Sequence, residues 1–147
     1  MAALIEEWDA DADTALPHEQ IAICVPTNQM AAEMAYTLKL HGIDSVEIRS
    51  DGPNGSTGVH IGTMFRFKGL EYQRMVIAGV TDGLVPRETV NSLRDRDPVR
   101  YRHEIQRARS LLFVAATRAR DSVDAFWHGK PSPFLDDSWV ASSASPS

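Results

Sequence analysis

The chain of 147 residues has one cysteine, Cys24, which excludes an internal disulfide and suits a reducing cytoplasm. Cys24 lies inside an apolar run, where a thiol is a small buried hydrophobe rather than a nucleophile. No stretch approaches the roughly 18 apolar residues of a membrane span. The start, MAALIEEWDADAD, lacks the basic region that opens a secretory signal. Histidines 18, 41, 60, 103 and 128 are scattered without metal-ligand spacing, so no metal site is expected. A basic footprint is also missing. The formal net charge is −5, so any nucleic-acid contact must be local or shared with another domain. There is no G-x-x-x-x-G-K-[ST] and no strand ending in an Asp-Glu pair. The glycine-rich stretch 51–58 is not a phosphate loop, because a strand follows it rather than a helix. It is not a nucleophile elbow either, since Asn54 stands where a glycine would precede Ser56. It reads as a flexible connection.

What is present suits one globular domain: 43% of residues are hydrophobic and 24% charged. Residues 1–19 are acidic and alanine-rich and read as a linker or a cut edge. Residues 20–130 form the domain, and 131–147 a small, polar, disordered tail. Strands are expected at Ile21–Val25, 45–48, Val59–Thr63, 75–80 and 122–127. Between the first two lies a helix, capped by Thr27 or Asn28. It buries Met30, Met34 and Leu38 on one face and stops at a left-handed Gly42. A strand–helix–strand unit implies a parallel crossover, so the expected fold is α/β with a mainly parallel sheet of about five strands. Asp97-Pro98 opens a second helix, whose apolar stripe is Ile105, Ala108, Leu112, Ala115 and Ala119. Residues 87–96 read as charged and irregular. A polar turn after Thr63 carries Arg66, Lys68, Gly69 and Glu71, at the strand end where α/β sheets hold ligands.

The run TMFRFKGLEY (63–72), followed by DGLVP (82–86), resembles the fifth motif of UvrD/Rep-like superfamily 1 DNA helicases. RARSLLFVAATRARD (107–121) resembles their sixth. The likeness extends over residues 20 to 128. It implies the C-terminal, second RecA-like domain of an ATP-dependent DNA helicase of 3′ to 5′ polarity, with motifs IV to VI. Its fold would be a RecA-like, P-loop NTPase-type three-layer domain lacking its own P-loop. The implied roles are an arginine finger for Arg118 and a nucleotide-side site at Gly69, Glu71 and Arg118. A single-stranded DNA site is implied at Thr63, Phe65, Arg66 and Lys68. Each residue also has a plainer reading. Phe65 and Phe67 could pack beneath the loop, and Arg66 and Lys68 could be a solvated pair. Glu71 could start a helix, and Arg118 could pair with Asp121 or Glu104.

The chain departs from the family twice. Val25-Pro26 stands where the fourth motif has an aromatic and an arginine, and Phe65 where the fifth has histidine. By the resemblance, ATP and Mg²⁺ would be held only together with an absent N-terminal RecA-like domain, in the same or a partner chain. Alone, the chain is then expected neither to hydrolyse ATP nor to unwind DNA. The alternative is a non-catalytic interaction or regulatory module that kept the helicase fold.

Overall fold

The apolar run Ile21–Val25 forms β1, the central strand of the computed structural model, which describes residues 17–48, 58–67 and 69–135. All five side chains are buried, as a strand covered on both faces requires. The other strands are β2 (Ser45–Glu47), β3 (Val59–Thr63), β4 (Tyr72–Ile77) and β5 (Ala119–Ala125). They lie in the order β2-β3-β1-β4-β5, and every neighbouring pair is parallel. This is the expected α/β fold.

Helix α1 (Asn28–Leu40) covers one face. Ala31 and Leu38 close there on Ile21, Ile23, Val25, Ile61 and Val76. Thr27 is the cap, its hydroxyl accepting from the Met30 amide at 3.1 Å, and Gly42 ends the helix at φ +76°. Two short helices, α2 (Glu88–Asn91) and α3 (Leu93–Arg96), lead into α4 (Pro98–Ala116) on the other face. Asp97 caps α4 by accepting from the Arg100 amide at 3.1 Å. Leu112 and Ala115 pack over Ala22, Cys24, Met75 and Ile77.

Four expectations need correction. Residues 87–96 are helical rather than irregular, in turns too short to show a period. Strands β4 and β5 each start about three residues before their apolar runs. The Tyr72 amide donates to the Arg118 carbonyl at 2.8 Å, and this pairing needs no apolar side chain. Ala119 therefore opens β5 instead of continuing the stripe of α4. Residues 131–135, assigned above to the tail, belong to the packed domain: the buried Ser132 hydroxyl donates to the Val85 carbonyl, and Leu135 joins the core. Of the expected linker 1–19, tail 131–147 and connection 51–58, residues 1–16, 136–147 and 51–57 lie outside the described residues.

The connection from β3 to β4 is the feature that positions the site. Parallel strands cannot be joined by a tight turn, because the chain must return to the opposite edge of the sheet. Thr63 pairs with Val25, one step beyond the Cys24–Ile77 pair. It is therefore about six residues, or ~20 Å, from Tyr72 along the strand direction. Residues 64–71 cross this distance through a 3-10 turn, Met64–Phe67. The sequence reading placed them in one turn; the structure spreads them from edge to edge.

Cys24 is fully buried, and burial pushes its thiol well above the ordinary range. Ellman's reagent should find no reactive thiol in the native protein and one after denaturation. Rapid native labelling would show that β1 is not the closed centre of the sheet.

Candidate functional site

At the carboxyl edge, Thr63, Phe65 and Arg66 gather around a cavity of about 510 Å³ with Pro26, Thr27, Asn28 and Arg87. The N-terminus of α1 opens on this cavity, so unpaired backbone amides and the positive end of the helix dipole face it. The Arg66 and Arg87 guanidinium groups make no hydrogen bond or ion pair among the described residues. Two unengaged guanidinium groups beside a helix N-terminus suit a phosphate. The two phenylalanines separate cleanly. Phe67 is wholly buried, whereas Phe65 is 54% exposed on the cavity rim, where a ring can stack on an unpaired base. Lys68 lies outside the described residues.

The two residues of the motif IV departure are both buried. Val25 is buried among Ile21, Ile23 and Ile61, and Pro26 is packed against the backbone at Gly79. A Cβ on Gly79 would sit 3.0 Å from Pro26 Cδ and 2.6 Å from Met30 Cε, and φ is +72° there. Only glycine accepts that conformation without strain. Neither Val25 nor Pro26 offers a group to a nucleotide.

At the opposite edge, Gly69 and Glu71 are exposed just before β4, and Arg118 lies beside them. The backbone bond from Tyr72 to Arg118 fixes this neighbourhood. Tyr72 is held in turn by His60, whose Nδ1 is 2.6 Å from its hydroxyl. Burial pushes the phenol up to about 12, so it stays protonated. The Arg118 Nε donates to the Val114 carbonyl at 3.3 Å, capping the last turn of α4. Arg118 forms no ion pair among the described residues. Glu104 is excluded as its partner, because it lies twelve residues, or about 18 Å, before the end of α4 at Ala116, beyond which Arg118 sits. Glu71 is exposed in the loop before β4 and starts no helix.

Thus the structure brings together Gly69, Glu71 and Arg118 at one edge and Thr63, Phe65 and Arg66 at the other. Sequence reasoning missed Arg87 and saw in Asn28 only a helix cap. The DGLVP turn carries a usable signal. It returns the chain so that Gly83 and Leu84 bridge to Arg87, which projects this arginine over the cavity. No three His, Cys, Asp or Glu side chains among the described residues could hold a metal ion. No helix among them is long and apolar enough to cross a membrane.

The architecture defines a parallel α/β domain with a crossing loop that serves two edges. It resembles a solved structure, the C-terminal domain of a possible DNA helicase from Lactobacillus plantarum WCFS1, with a TM-score of 0.64 at 18% identity. That likeness covers 94% of this chain and 74% of the other. No curated protein sequence matches the chain. The sequence pattern of the UvrD-like helicase C-terminal domain matches residues 18–127. The chain belongs to that family.

Proposed function

We propose that this domain is the C-terminal half of an ATP-driven DNA motor, and that it works across a cleft shared with an N-terminal RecA-like domain. The observation that supports this most is the eight-residue crossing. It ends at Thr63, Phe65 and Arg66 on one edge and at Glu71, beside Arg118, on the other. A strand-binding edge and a nucleotide-binding edge are then joined by one short covalent segment.

The residues present fit one side of a nucleotide. Arg118 offers a planar, permanently charged fork to a γ-phosphate, and Glu71 offers a carboxylate to a ribose hydroxyl. ATP would supply the driving hydrolysis. Mg²⁺ would be held by phosphates and by the other domain, since the sequence has no phosphate loop and the described residues form no acidic metal cluster. Arg118 would swing from the Val114 carbonyl, an exchange that gives up one charge-assisted hydrogen bond worth about 1.5–3 kcal/mol. Single-stranded DNA would lie along Thr63, Phe65, Arg66 and Lys68, with Arg87 as a further cation. On this reading the isolated domain turns over no ATP.

Fluorescence titration with labelled single-stranded DNA tests the DNA side. Binding should be measurable at low salt. Arg66→Ala with Arg87→Ala should reduce the slope of log affinity against log salt by about 1.4, at about 0.7 per phosphate contact. A slope unchanged in the double variant would sink the assignment. The buried Val25 and the inward-packed Pro26 favour a second reading, a non-catalytic module. Absence of binding at every salt concentration would move that reading to the front.

A further inference from the structure

The cavity at Thr63 is not isolated. Phe65, Arg87 and Pro26 are shared with an apolar groove of about 340 Å³ that runs past Leu84 and Leu111. Pro86 links this groove to a third cavity of about 540 Å³, lined by Arg94, Tyr101, Arg109, Lys130 and Phe134. Along the three cavities lie six of the chain's 15 cationic residues but only two of its 20 carboxylates, Asp82 and Glu104. On a chain of net charge −5, this is a concentrated positive path.

We propose that a single DNA strand follows this path beyond Phe65 and Arg87, and that Arg94, Tyr101, Arg109, Lys130 and Phe134 form a second cradle for it. The inference rests on the DNA-binding reading of the Thr63 cavity and extends it to residues of which only Arg109 falls within a helicase motif named above. Two cation–ring pairs build the cradle. The Arg94 guanidinium lies 5.4 Å from the Tyr101 ring centre and donates to its hydroxyl at 3.2 Å. The Arg109 guanidinium lies 5.1 Å from the Phe134 ring centre. A guanidinium held beside a ring puts phosphate donors and a base-stacking face at one place. Lys130 adds a charge that is 82% exposed and, among the described residues, answered only by Asp82, at 3.8 Å. An acidic peptide would meet the same cations. The strand is favoured because the middle groove, between Phe65 and Leu111, is apolar and sized for bases, and because it leads directly from the first cavity.

Anisotropy of the full chain with labelled oligothymidines of about 4 and about 12 nucleotides tests this, since such sites span about 4–16 nucleotides. The longer strand should bind at least about tenfold tighter than the shorter. Arg94→Gln with Arg109→Gln keeps much of each stem over its ring while removing both charges. It should remove most of the length advantage and about 1.4 of the salt slope of the longer strand, leaving the shorter strand unaffected. A double variant that binds both lengths like the wild type overturns the cradle. So does a longer strand with no advantage, while normal binding of the shorter one leaves the first cavity intact. If neither length binds, the first cavity's assignment falls together with the cradle. If polyglutamate binds in a manner dependent on Arg94 and Arg109 while the long strand does not, the path serves a protein partner instead.

Discussion

Arg118→Ala should lower ATP turnover about 10³–10⁵-fold when this domain is joined to a RecA-like domain that carries a phosphate loop. The size follows from the chemistry. Charge spreads over the γ-phosphoryl oxygens as the bond to the leaving group loosens, and a bidentate guanidinium stabilises that charge in a dry cleft. The structure puts Arg118 where α4 ends and β5 begins, anchored through its own carbonyl to Tyr72. The side chain is thus delivered by a fixed backbone, with one loose contact at Val114. Steady-state phosphate release with saturating DNA measures the effect, with DNA affinity as the control. Arg118→Lys should recover little, because the ammonium keeps the charge but loses the fork. Losing the Val114 bond alone should cost no more than about 1.5–3 kcal/mol, so the variant should remain folded. A drop of less than about tenfold would mean that Arg118 is a helix cap and nothing more.

The second large effect is on stability. Phe67→Ala should destabilise the domain by about 3–5 kcal/mol, a large share of the roughly 5–15 kcal/mol typical of a domain. Phe67 is fully buried and meets Tyr72 edge-on, with ring centres 5.9 Å apart. Its removal leaves a cavity under the crossing loop that α4 and the sheet cannot both close. Phe65→Ala, two residues earlier, should change stability by no more than about 0.5 kcal/mol, since that ring faces the cavity. Urea denaturation of the two variants decides the matter. Equal losses would contradict the separate placement of the two rings.

That contrast shows where the sequence was legible. The β-branched and apolar runs at Ile21–Val25 and Val59–Thr63 announced their strands, and Thr27 and Asp97 announced the caps, because those signals are local. The motif letters around residues 63–72 and 107–121 singled out the candidate site residues. The fate of Phe65 and Phe67 was not legible, because a 3-10 turn gives no periodicity long enough to show which ring faces inward. Arg87 was hidden for a related reason. Its role depends on the return of the chain at residues 82–86, and within a charged stretch it looks like any solvated arginine. The early starts of β4 and β5 escaped notice because Gln73, Arg74, Arg120 and Asp121 are polar, and strand ends can be polar when backbone pairing alone defines them.

The crossing from β3 to β4 also has a length, and length has mechanical meaning. From Thr63 to Tyr72 there are nine Cα steps, of which the 3-10 turn advances only about 2 Å per residue. The remaining steps reach at most about 3.3–3.6 Å each. The path must cover ~20 Å along the strands and about 10 Å sideways over β1. Little slack is left. A slack loop would absorb a displacement at Thr63, whereas a nearly taut one with Phe67 anchored at its middle transmits it to Glu71. On the motor reading proposed above, the spacing between the two ends of the motif would matter as much as the side chains, as a rod of fixed length.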